Sequence, residues 1–265
     1  MLKADAVARL LEAGQRRAAR IVSRMPAPGG VMDPSYVDAL GIRVHCELLR
    51  LSEELQFGRR VEALISPLIA GLRKAGPETI RVVDVGCGLG YVLRSLAAAG
   101  RLGPDVQLVG ADLNLALIDR ARDLAAQEGL DCQFICGDAF RPQAAIEDPA
   151  RTVVISSGLM HHVPEQELPG FFASQADLAV AAFAHWDIAP CLWSTVGAWV
   201  FHQARMREPV SRHDGVVSAR RAHSAAALQA AALAGAPGYS IQVAEAPRWQ
   251  PRALDVLRPV VGVLA

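Results

Sequence analysis

The stretch VVDVGCGLGYV, residues 82–92, decides how the rest of the chain is read. It continues TIRVVDVG, a short run rich in Val and Ile that ends in glycine, as a buried strand of a parallel sheet does. Gly86, Gly88 and Gly90 alternate through the turn that follows. Glycine tolerates positive φ and lets a ligand come close to the backbone. The helix expected behind the turn, YVLRSLAAAG (91–100), offers unpaired N–H groups and the positive end of its dipole. Structural turns use glycine too, but three alternate glycines at a strand end, preceded by Asp84, are more specific. An acid inside an apolar strand needs donors, either the N–H groups of the adjacent turn or a bound cation.

Strands and helices alternate downstream. VQLVGAD (106–112) reads as a second strand, and Asn114 can cap a helix whose apolar face runs through Leu117, Ile118, Ala121, Leu124 and Ala125 to Gly129. CQFICGD (132–138) and RTVVISS (151–157) are the next strands, followed by a helix over about 165–178 and a strand over 180–188. Such alternation with short connections predicts an open α/β parallel sheet, doubly wound, with helices on both faces. Residues 190–222 read as a helix, STVGAWVFHQARMR, and a polar loop, PVSRHDGVVSARRAHS. A further helix, AAALQAAALAG, leads to two extended runs, 239–246 and about 249–257, expected to form a terminal hairpin on the sheet edge. Upstream, residues 1–75 read as helical: one helix to about residue 24, a turn-rich break at 25–35, then helices over 36–57 and 58–75. The basic residues of the first helix make a solvated face or a surface for an acidic partner.

Composition narrows the function classes. Lys and Arg total 27, as do Asp and Glu, so the net charge is zero and no bulk field draws in nucleic acid. The most apolar stretch, 178–201, is interrupted by His185, Asp187 and Pro190 and is too short for a membrane span. The first 20 residues carry charges throughout and lack the apolar core of a signal peptide. Five cysteines at 46, 87, 132, 136 and 191 make no CxxC pair and no metal spacing. Cys132 and Cys136 are expected to be buried thiols on one side of a strand. A cytoplasmic globular protein without a metal is the expectation.

Two cofactor classes compete for the glycine turn. A dinucleotide site wants G-x-G-x-x-G, but here Tyr91 takes the third glycine's place, and no Gly-Lys-Ser/Thr follows to make a phosphate loop. The pattern D-x-G-x-G-x-G instead resembles class I S-adenosylmethionine-dependent methyltransferases of the small-molecule type, such as those of quinone and natural-product biosynthesis. The resemblance runs over about residues 80–188. It implies a seven-stranded, mostly parallel, Rossmann-like sheet with a terminal β-hairpin and an N-terminal helical cap. It also implies S-adenosyl-L-methionine as cofactor, with the turn (Asp84, Gly86, Cys87, Gly88, Gly90) around its methionine part. Asp112, 22 residues after Gly90 and followed by Leu113, matches the acid that accepts both ribose hydroxyls. Asp138, Ala139 and Phe140 match the adenine-side segment, and Ser157 opens the loop after the fourth strand.

Methyl transfer needs an aligned acceptor, exclusion of water and, for a hydroxyl acceptor, a base. His161 and His162, in SSGLMHHVP (156–164), are the candidates for that base, at the sheet edge that faces the ligand crevice. His185 and Asp187 end the fifth strand at the same edge, and His213 and Asp214 rank after them. Trp186, Trp193 and Trp199 cluster beyond that strand and suggest an aromatic wall for an apolar or planar acceptor. The Asn/Asp-Pro-Pro-Tyr/Phe motif of amino-methylating enzymes is absent; the matching position reads SSGL. The sequence thus predicts a helical cap, lid or dimerisation segment at 1–75 and a cofactor-binding domain at 76–265 with a lid-like insertion at about 189–222. O-methylation of a small phenol or hydroxyl is favoured. C- or N-methylation of a quinone or other metabolite is the alternative, as is a non-catalytic cofactor-binding scaffold. A homodimer is one use for the N-terminal helices.

Overall fold

The computed structural model describes residues 1–244 and 257–265, the side chains of Leu192 and Trp193 excepted. Four helices precede the glycine turn: α1 (Lys3–Glu12), α2 (Arg16–Ser23), α3 (Pro34–Glu54) and α4 (Phe57–Ala75). The single first helix expected from the sequence is therefore two. Gly14 takes φ +70°, and the N–H groups of Gly14 and Gln15 turn back to the carbonyls of Leu11 and Leu10, which ends α1. At the start of α3, Pro34 sits in the first turn and the Asp33 side chain accepts the Ser35 N–H.

The alternating region follows as β1 (Ile80–Val85), α5 (Tyr91–Ala99), β2 (Val106–Asp112), α6 (Leu115–Glu128), β3 (Gln133–Cys136), β4 (Thr152–Ser157), α7 (Leu168–Ala176) and β5 (Ala182–Ile188). Asn114 caps α6 by accepting the N–H groups of Ala116 and Leu117, and Gly129 closes it at φ +65°. Then come α8 (Leu192–Arg205), α9 (Pro209–Arg221), α10 (Ala225–Gly235), β6 (Tyr239–Val243) and β7 (Leu257–Leu264). The polar run expected to be a loop is helix α9. Its first turn is Pro209, and its apparent polarity is a one-sided pattern in which Ser211, Gly215, Ser218 and Ala219 are buried.

The sheet runs β3-β2-β1-β4-β5-β7-β6, with β1 to β5 parallel and β7 antiparallel to both of its neighbours. The expected terminal hairpin is present, but its second strand is Leu257–Leu264. Residues 249–256 of the strand expected at 249–257 lie outside the described residues. Pro259 lies within this strand just beyond the β6 ladder, which ends at Val260, and its carbonyl accepts the Ala244 N–H at 3.0 Å. β1 is buried along its whole length. Val83 and Val85 join a core on one face with Phe171, Phe172 and Phe183, while Ile80 and Val82 join one on the other with Ile65, Leu93 and Ile118. Chain order reverses direction between β1 and β4, which opens a crevice at the carboxyl ends of these two strands. No helix among the described residues is long and apolar enough to cross a membrane.

Candidate active site

That crevice is a cavity of about 500 Å³. Its floor comes from the glycine turn, Asp112 at the end of β2, and Ser157, Leu159, His161 and His162 after β4. Three helices face the floor. α3 contributes His45, Leu48, Leu49 and Ser52, α8 contributes Ser194, Ala198, Phe201 and His202, and α9 contributes Asp214, Gly215 and Ser218. In α3 and α8 these residues recur at helical spacing, one stripe per helix.

Gly86, Gly88 and Gly90 all take positive φ, and the space over them is occupied. A Cβ on Gly86 would come within 2.9 Å of Leu159, and one on Gly88 within 2.9 Å of the His45 ring. The N–H groups of Gly86 and Cys87 donate to the Ala111 carbonyl, tying the turn to β2. Asp112 accepts the Gly88 N–H through Oδ2 and the Asn114 N–H through Oδ1, both at 2.9 Å. The turn therefore gives no donor to Asp84, contrary to one of the two sequence expectations. Asp84 is 2% exposed and its Oδ1 has no hydrogen-bond partner. Burial, with the negative charge of Asp112 adding to it, pushes its pKa up to about 8. The Cys87 thiol lines the cavity and is also pushed up, by burial and then by the nearby acids.

The segment expected on the adenine side lies off the cavity wall. Asp138 accepts the Phe140 N–H at 2.9 Å, and Phe140 packs edge-on against Phe171 at 5.7 Å, with Ala139 also against the core. Leu113 is exposed. Cys132 and Cys136 are unpaired as expected, but Cys136 is exposed rather than buried because it ends β3.

His161 and Asp187, ranked apart in the sequence, form one unit. Asp187 is 4% exposed and accepts the His161 backbone N–H at 2.8 Å, the His161 Nδ1–H at 2.7 Å and the Ile188 N–H at 2.6 Å. With Nδ1–H held by a carboxylate, the neutral His161 ring has its lone pair on Nε2. His162 packs its ring 4.2 Å from that of His161 and sits at the exposed edge of the loop. Partial desolvation, together with His161, lowers its pKa. The loop is fastened from outside by His223, whose Nε2–H lies 3.1 and 2.9 Å from the carbonyls of Met160 and Val163.

His185, Trp186 and Trp199, expected at the pocket, do not line the cavity. His185 is fully buried beneath the sheet edge, with Nδ1 2.9 Å from the Ser156 hydroxyl and Nε2 2.9 Å from the Gln175 side-chain oxygen. Burial lowers its pKa to about 3, so it is a neutral core residue, stacked on Phe183 at 5.4 Å. Trp186 is half-buried and packs against the opposite core. Trp199 is 54% exposed on the outer face of α8. Trp193 lies outside the described side chains. Asp214 lines the cavity; His213, next to it on α9, does not. Among the described residues, the aromatic side chains Phe57, Tyr91 and Phe201 line it. His45 and His202 were missed in the sequence; their signal was a histidine in register with Leu48, Leu49 and Ser52, and another with Ser194, Ala198 and Phe201.

A family model described as a methyltransferase domain matches residues 82–180. No curated protein matches the sequence. Among solved structures, the plantazolicin methyltransferase BamL, in complex with a triazolic desmethylPZN analog and SAH, has a TM-score of 0.60 at 14% identity, over 86% of this chain and 96% of that one. The methyltransferase domain of bacterial CtHen1-CN has a TM-score of 0.55 at 15% identity, over 80% and 99%. Magnesium protoporphyrin IX methyltransferase ChlM from Synechocystis PCC 6803, with bound SAH, has a TM-score of 0.50 at 18% identity, over 99% of both chains. At such identities the likeness is one of fold. The matched segment runs from β1 to the threshold of β5 and takes in the glycine turn, Asp112 and His161, so the similarity to a methyltransferase domain covers the part of the chain that forms the cavity floor.

Proposed function

We propose that the chain methylates a hydroxyl, phenolic for preference, on a small and largely apolar molecule. The observation that carries this reading is the His161–Asp187 pair opening on the same cavity as the glycine turn and Asp112. The residues present fit S-adenosylmethionine. Asp84 holds a buried oxygen without a partner, the glycine turn has its backbone at the cavity surface, and each Asp112 oxygen keeps lone pairs for hydroxyl donors. When bound, that cofactor supplies a methyl group on a positively charged sulfur. His161 Nε2 would take the proton of the acceptor hydroxyl, leaving an oxygen electron pair available to the methyl group that the cofactor would supply. Asp187 holds the ring and stabilises the imidazolium that results. The helical segment 1–75 and the insertion at 189–222 act as cap and lid, since α3, α8 and α9 cover the floor.

The apolar character of Leu48, Leu49, Phe201 and Ala198 around this pocket favours a small apolar acceptor. Two proteins of similar fold are named as methyltransferases of plantazolicin and of magnesium protoporphyrin IX. Five free cysteines fit a reducing cytoplasm. Transfer from labelled S-adenosylmethionine to a panel of phenols and amines tests the proposal. His161→Gln is expected to lower kcat by about 10²–10⁴-fold while leaving calorimetric cofactor affinity unchanged, and Asp187→Asn to lower it in the same direction. Near-full activity in both variants overturns the base and favours the C- or N-transfer reading.

A further inference from the structure

His161 is not the only cavity imidazole whose tautomer is fixed. His202 on α8 is 3% exposed, and its Nδ1 lies 2.7 Å from the Ser211 carbonyl at the start of α9. A carbonyl only accepts, so Nδ1 carries the proton, and in the neutral imidazole Nε2 carries a lone pair. That Nε2 has no hydrogen-bond partner among the described residues, although His202 lines the cavity. The ring lies flat on Gly215: a Cβ there would stand 2.3 Å from Cε1 and Nε2 and 2.4 Å from Cδ2. Near-equal distances mean the face, not the Nε2 edge, meets α9. With Nδ1 turned to Ser211, the edge left for the cavity is the one with the lone pair.

We infer that His202 is a specificity subsite: its Nε2 accepts a hydrogen bond from a second donor, a hydroxyl or N–H, on the molecule being methylated. This rests on the acceptor-cavity reading above and deepens it. The acceptor is then a ring system with at least two donors, one at His161 that loses its proton and one at His202 that keeps it. A buried acceptor left unmatched by the ligand costs binding, so a one-donor analogue is discriminated against. The absence of a side chain at Gly215 is the condition for the imidazole to take this position.

The test is calorimetry on the full chain loaded with S-adenosylhomocysteine, using 1-naphthol and the dihydroxynaphthalenes as probes. At least one diol is expected to bind about 10-fold or more tightly than 1-naphthol to the wild type. That ratio is expected to collapse towards one in His202→Leu. It is expected to collapse also in Gly215→Ala, a favourable helix substitution that keeps the imidazole but displaces it, and to survive in part in His202→Gln. A ratio is insensitive to a general loss of fold, which S-adenosylhomocysteine affinity monitors separately. Equal affinity of diols and 1-naphthol, or a ratio preserved in His202→Leu, overturns the subsite and leaves the parent proposal standing. Failure of every naphthol to bind the loaded protein overturns the phenolic acceptor and the subsite together.

Discussion

Asp84 departs furthest from the chemistry of its residue type. In the unfolded chain its carboxyl is ionised above about pH 4, whereas in the fold it holds its proton up to about pH 8 because burial penalises the charge. Folding therefore takes up a proton between these values, and the contribution of this group to stability falls as pH rises from about 4 to 8. Asp84→Asn removes that slope. Urea unfolding at pH 5 to 9 is expected to show a gain for the variant over the wild type that grows with pH, on the order of a few kcal/mol at the alkaline end. An unchanged slope would mean that the carboxyl is ionised in the fold. The acid itself was legible, since a charged residue in an apolar strand is conspicuous. Its lack of a partner was not, because that depends on the turn N–H groups going to Ala111 across the sheet. His161 was legible in the same limited way: its place after β4 showed in the sequence, while its coupling to Asp187, 26 residues on, follows from β4 and β5 being neighbours in register.

Among the elements, α3, α8 and α9 set the upper wall of the site, and one side chain ties two of them to the third. Glu47 of α3 is buried and accepts the backbone N–H groups of Arg207, at 2.6 Å, and Glu208, at 3.2 Å, where α8 gives way to α9. Burial opposes its charge, yet hydrogen bonds such as these hold its pKa below the usual glutamate value. The carboxylate also sits at the positive end of α9. Glu47→Ala leaves the part-buried N–H groups of Arg207 and Glu208 unpaired at a helix start and is expected to cost about 1–3 kcal/mol. Hydrogen exchange is expected to quicken in α8 and α9 first, with β1, β2 and β4 unaffected; uniform loss of protection would contradict a local anchor. The alternating strands and helices of 80–188 were legible because periodicity and caps there agree with the fold. Helix α9 was not, since Ser, His, Asp and Gly are weak helix formers and the helix rests on burial of its small-residue face.

At the scale of the molecule, the cavity lies between a sheet edge and helices drawn from residues 34–54 and 192–221, far apart in the chain. A ligand that bridges these parts stabilises the fold by mass action. S-adenosylhomocysteine at about 100 times its Kd is expected to add about 2.7 kcal/mol to the unfolding free energy. Asp112→Ala, lacking the carboxylate that meets both the turn and the cavity, is expected to lose most of that gain in a denaturant titration. Equal protection of both proteins would remove Asp112 from the cofactor site. The sequence by itself determined the sheet and the glycine turn, because strand periodicity, glycine conformation and helix caps act over a few residues. Only the tertiary structure decided which side chains meet in the cavity. It turned Trp199 outward and His185 into the core, paired His161 with Asp187, and brought in His45 and His202. The physical reason is range: burial and hydrogen bonding between residues tens to hundreds of positions apart depend on how elements pack, and local periodicity marks a buried face without naming what it packs against.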